Sequence, residues 1–147
     1  MTRQRVDGSF DFQALMQDAA NIIATVAGKV ATVARIYDAG LGRVDARLIF
    51  DITAAEVATG NESYRVQVQV SSSSSFATDV WNVAGVQLGD SSVSLETVDT
   101  IAGRRELAFT NEINGTVYRY IRVHFVVAGT IDTTGLSVGN MWLTTDA

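Results

Sequence analysis

Four side chains able to act on something outside the chain fall at alternate positions in its last third: Tyr118, Tyr120, Arg122 and His124. Every second residue of an extended strand shares a face, so these four form one aromatic and basic row. Val117, Ile121, Val123, Phe125 and Val127 form an apolar row on the other face, which only Arg119 interrupts. Tyrosine and arginine are enriched where proteins meet, so the sharper reading of the polar row is an interface. The plainer reading is a solvated sheet face, steadied by cross-strand aromatic and cationic pairs. As a catalytic site the row is poor. His124 is the only histidine, and a general base needs a second positioned group that the sequence does not display.

Other chemistries are excluded in turn. The chain has no cysteine, hence no disulfide, thiolate metal site or cysteine nucleophile, and one histidine makes no metal cluster. The serine run at 71–75 has no acid–base partners nearby and is expected to be a flexible loop. Asp38-Ala-Gly-Leu-Gly-Arg43 lacks the Lys-Ser/Thr ending of a phosphate loop and is expected to be a turn. Asn61-Glu-Ser63 and Asn114-Gly-Thr116 match a glycosylation pattern, but without a secretion signal they are expected to be turns. Carboxylates are scattered singly; a pair assembled in space, or an exposed tryptophan, would suit a sugar binder. Trp81 and Trp142 are the candidates for such a platform, and both are expected in the core. The expectation is therefore a protein that is not an enzyme and carries no cofactor or metal.

The totals agree. Net charge is −5 and the pI about 4.7, the wrong sign for a protein that lives on phosphate backbones, so no nucleic-acid partner is expected. Charged residues make up 18%, below the usual quarter or so, and mean hydropathy is +0.17, so part of the surface is expected to be covered. Twenty-six Ser and Thr replacing charge on a β-rich surface would give the same totals. Ten of eleven basic residues are Arg, which suits planar paired contacts at interfaces, although codon bias would produce the same skew. No signal-peptide core follows the N-terminus and no apolar run reaches spanning length, which predicts a soluble protein made in a cytoplasm, without a membrane partner.

The elements that must position the row are mostly strands. Phe10 and Phe12 sit at alternate positions in a polar arm, which is expected to become ordered only when the two rings are buried. Leu15, Ala19, Ile22, Ile23, Val26 and Val30 fall at helical intervals, so 13–30 is an arm or short helix leading into a first strand. Period-two patterns over 44–52 and 64–70, runs over 80–88 and 92–98, 104–111 and 117–127 around an Asn114-Gly115 hairpin, and a final apolar run over 136–143 are expected strands. Seven or eight strands at intervals of about 10–15 residues indicate an antiparallel sandwich or barrel. The expected organisation is an arm over 1–30 and one β-sandwich domain over 31–147. With no proline anywhere, strand edges are not blunted that way, and edge-to-edge or face-to-face association is expected.

Ala102-Gly103-Arg104-Arg105-Glu106-Leu107-Ala108-Phe109, then Tyr118-Arg119-Tyr120-Ile121-Arg122-Val123, Val127-Ala128-Gly129 and a Thr-Thr-Gly turn at 133–135 resemble capsid cement or decoration proteins of tailed bacteriophages. These include the cement proteins of podophages that infect Bordetella. Upstream, Ile36-Tyr37-Asp38-Ala39-Gly40 resembles the family's Ile-Asp-Leu-Gly turn with Tyr37 inserted, and 72–76 sits where the family has a Ser-and-Phe loop. The resemblance covers roughly residues 30–145, with Tyr-Arg-Tyr-Ile-Arg its most specific part and the first thirty residues its weakest. It implies a jelly-roll sandwich bound to the virion exterior, cementing major capsid protein subunits as a small homo-oligomer, a dimer favoured over a trimer. On this reading Phe10, Phe12, Tyr118, Tyr120, Arg122 and His124 make the protein contacts. The alternative is a carbohydrate-binding or tail-associated structural protein of a phage.

Overall fold

The computed structural model describes residues 14–94 and 97–145. In chain order its strands begin with β1 (Leu15–Gln17), β2 (Ala20–Ile22), β3 (Val26–Ala27), β4 (Lys29–Val30), β5 (Val33–Ala34), β6 (Tyr37–Asp38), β7 (Asp45–Ala55), β8 (Ser63–Ser71) and β9 (Val80–Gly89). One helical turn, α1 (Ser91–Ser94), precedes β10 (Gly103–Thr110), β11 (Glu112–Ile113), β12 (Thr116–Val117), β13 (Tyr120–Ala128) and β14 (Leu136–Thr145).

Two antiparallel sheets share one core. Sheet I runs β1-β14-β7-β10, with β2 beside β1 on the same side of β14, and sheet II runs β3-β13-β8-β9, with β6 beside β3 on β13. Strand alternation explains the stacking. Leu48, Phe50 and Ile52 of β7 and Met141 and Leu143 of β14 point inward from sheet I. They meet Val66, Val68 and Val70 of β8 and Ile121, Val123 and Phe125 of β13. All are buried, and each contributes about 1.5–3 kcal/mol by leaving water. The all-β antiparallel sandwich is thus what the period-two patterns predict.

Polar groups pin the ends of these strands. Glu62 is fully buried, and its carboxylate accepts backbone N–H groups of Thr59 (2.6 Å), Gly60 (3.0 Å) and Asn61 (3.1 Å). The Asn61–Glu62 backbone passes between Gly129 (φ +89°) and Gly89 (φ +121°), where any Cβ would strike its carbonyl oxygens. Glycine is therefore required at both positions, by conformation and by space. At the other end Asn111, fully buried, accepts from Val44 N (2.7 Å) and donates to Tyr118 O (2.9 Å) and Gly42 O (3.2 Å).

Three expectations are corrected. The helix-like spacing over 13–30 does not make a helix in the part that is described: β1 and β2 pair with β14, whereas β3 pairs with β13. Apolar residues there serve first one sheet and then the other, and the crossing mimics a helical period. The expected strand over 92–98 begins instead with α1, because Asp90 caps it: its carboxylate accepts from Ser92 N (2.9 Å), and its carbonyl from Val93 N and Ser94 N. Finally, the strand expected over 117–127 is interrupted at 118–119, where Asn111 holds both the N–H and the C=O of Tyr118. The Asn114-Gly115 hairpin is present as expected, with both residues at positive φ and Ile113 opposite Thr116.

Candidate functional site

The outer face of sheet II carries three members of the predicted row. In register, Arg122 of β13 lies beside Gln69 of β8, which lies beside Asn82 of β9. The side chains follow: Arg122 Nε donates to Gln69 Oε1 (2.8 Å), and Gln69 Nε2 donates to Asn82 Oδ1 (2.9 Å). Phe76 closes over this ladder, its ring centre 4.4 Å from the Arg122 guanidinium carbon. The serine run aims it. Ser71 Oγ donates to Thr78 O (2.8 Å) and accepts from Ser73 N (3.0 Å), and Phe76 N bonds Ser73 O (3.1 Å), so the run forms a hydrogen-bonded turn. Burial pulls Arg122 below the ordinary guanidinium range.

His124 is the next outward residue, opposite Gln67 and Ala27. Its pKa is lowered, first by burial and then by the charge on Arg122, so the ring is neutral near pH 7. Its Nδ1 is buried without a hydrogen-bond partner among the described residues. Tyr120 ends the row beside Asp38. There Arg119 lies 5.4 Å from the tyrosine ring centre and grips Asp38 through two 2.8 Å bonds. That grip, with a further bond from Gly40 N, lowers Asp38 to about 2.

The remaining predicted residues stand differently. Tyr118 does not join the row: it is buried in the core, because the interruption at 118–119 resets the alternation. Phe10 and Phe12 lie outside the described residues. Of the tryptophans expected in the core, Trp81 is 48% exposed. Trp142 is buried, but on the outer face of sheet I, beneath Arg104 at 5.1 Å. The sequence named neither Gln69 nor Asn82. They could be found only by knowing which strand lies beside which.

The three long strands of sheet II contain Arg65, Arg122 and His124 but neither Asp nor Glu. Among the described residues no carboxylate lies within ion-pair distance of Arg122. The one carboxylate in the rest of the sheet, Asp38 of β6, is held by Arg119, so in a chain of net charge −5 the long strands are a concentrated exception to its composition. Among the described residues no cluster of three His, Asp or Glu is placed to hold a metal, and no helix is long and apolar enough to cross a membrane. Fold and surface together define an antiparallel β-sandwich with one outer face whose long strands carry no carboxylate. The sequence matches no protein-family model and no curated protein.

Proposed function

We propose that this chain is a structural virion protein that binds the outer surface of an assembled bacteriophage capsid and cements contacts between major capsid protein subunits. The observation that carries the proposal is the outer face of the three long strands of sheet II, which carry no carboxylate. Its arginine is held by a neutral amide and an aromatic ring, so its charge is fixed in place yet uncompensated. Such a group is worth most against an acidic or carbonyl-rich protein surface that excludes water. Tyr120 adds aromatic area at low entropic cost.

The strand order supports the jelly-roll that the resemblance implies. Counting β1 with β2 as the first position, then β3, β7, β8, β9, β10, β13 and β14, the first position lies beside the last, and four positions fall in each sheet. A second copy joins along β9, an edge strand of ten residues without charge or proline. Binding only the assembled shell would stabilise it by linkage, about 2.7 kcal/mol per site at a hundredfold excess over the dissociation constant. Repetition over the shell and avidity within an oligomer multiply the effect.

The test is co-sedimentation of the purified chain with empty, expanded shells of tailed-bacteriophage major capsid protein. Saturable binding is expected, with Tyr120→Ala plus Arg122→Ala weakening it at least about 30-fold, as loss of a hot spot of about 2 kcal/mol would. Failure of the folded wild-type chain to pellet with shells overturns the function. Equal binding by the double variant overturns the assignment of the face.

A further inference from the structure

We propose a second site, independent of capsid binding: a cleft at Trp81 that takes a neutral saccharide. Trp81 forms one wall of a cavity of about 450 Å³, shared with Asn82, Val83, Thr110, Glu112, Ile113 and Asn114. That volume lies within the range of about 300–1,000 Å³ common to small-molecule sites.

The indole is exposed but fixed. Its Nε1–H is donated to Asp79 Oδ1 (2.8 Å), and Asp79 is itself held by Ser72 Oγ (2.8 Å). The Tyr118 ring packs against it, centroids 6.5 Å apart and planes inclined by 50°. Exposed single hydrophobic residues are ordinary. An exposed indole with its N–H anchored and a second ring behind it is a preorganised platform, which reduces the ordering cost of binding.

The polar walls set the ligand class. Asn114 occupies a positive-φ position of the β11–β12 hairpin, and its side chain makes no hydrogen bond with the described residues. Asn82 uses its Oδ1 for Gln69, which leaves two amide hydrogens to donate. Glu112 contributes a carboxylate whose contact with Arg43 is long, 3.4 Å. No basic side chain lines the cavity, so an anion such as a phosphate or an acidic sugar meets the Glu112 carboxylate and no cation within the walls. A hexopyranose fits both demands: its axial C–H groups stack on the indole face, while its hydroxyls bond amides, hydroxyl and carboxylate. A protein hot spot would place such a ring among mostly apolar neighbours, and here only Val83 and Ile113 of the six other wall residues are apolar.

The test is an NMR titration of the full chain with maltohexaose, cellohexaose, chitohexaose and galactobiose, each up to about 10 mM, tenfold above a millimolar dissociation constant. At least one sugar is expected to give saturable shifts confined to the Trp81 indole and the amides of Asn82 and Asn114. Trp81→Ala should lower the affinity at least about tenfold, and Trp81→Phe should retain part of it. If Trp81→Ala does not fold, Asn114→Gly keeps the hairpin turn and should weaken binding several-fold. No shift with any of the four sugars, or binding unchanged in these variants, overturns the proposal. So does sedimentation showing that Trp81→Ala merely dissociates an oligomer, since the ring would then be covered by a second copy. Shell binding is measured separately, so either site can fail alone.

Discussion

The long strands of the two sheets are similar yet treat charge in opposite ways. Sheet I compensates within itself: Arg104 binds Asp51 through two bonds, 2.8 and 3.1 Å, while stacking on Trp142, and Arg47 meets Glu106 at 3.1 Å. Its ion pair lifts Arg104 above, and drops Asp51 below, their ordinary pKa values. Sheet II leaves Arg122 on a neutral amide, with burial alone shifting it down. The difference teaches which face is finished. An arginine paired to its own carboxylate has little left to offer a partner. One held in place by Gln69 keeps its charge for another surface.

Gln69 is where this contrast breaks most visibly. Gln69→Met would remove the acceptor of Arg122 Nε and the donor to Asn82 together, and should destabilise the fold by about 1–3 kcal/mol in urea denaturation. Gln69→Glu would instead turn sheet II into a copy of sheet I. Stability should be retained while shell binding falls, because the charge of Arg122 is then spent internally.

A smaller effect is expected from the pair on sheet I. A double-mutant cycle with Arg104→Gln and Asp51→Asn should return a coupling of about 0.2–1 kcal/mol, since both side chains are more than a third exposed and water screens them. Shell binding should not change. A coupling much above that, or a loss of binding, would mean that sheet I is not the finished face.

The smallest difference is one of pH. His124 is held below its ordinary 6.5, so the folded state resists its protonation; stability is full above about pH 6.5 and declines as pH falls through the range below. Asp51, Asp38 and Glu56 are lowered, so their contribution is present above about pH 4 and is lost as pH falls further, toward about 2 for Asp38 and Glu56. Melting temperature followed downward from neutral pH should therefore show two limbs. His124→Gln should flatten the first and leave the second. A first limb that survives the substitution would remove His124 as its cause.

Alternation along single strands was legible from residue order. The apolar face of β13, the inward valines of β8 and the Asn114-Gly115 turn all depend on neighbours two or three positions apart, and all are where the pattern puts them. So were Tyr120, Arg122 and His124 as one outward row. Tyr118 was not, because Asn111, seven residues away, takes its backbone out of the strand. The first described segment misled because its apolar residues answer to two sheets rather than to one helix face.

By itself, then, the sequence determined that this is an antiparallel β protein of low charge with one aromatic and basic strand face, since those properties follow from period and composition. Only the tertiary structure decided that β8 and β9 bring neutral amides and no carboxylate beside Arg122, that Phe76 closes over it, and that Trp81 faces a cleft while Trp142 lies buried beneath Arg104. Those are contacts between residues far apart in the chain, fixed by which strands pair and in what register, and a one-residue slip of register would have placed each of them on the opposite face.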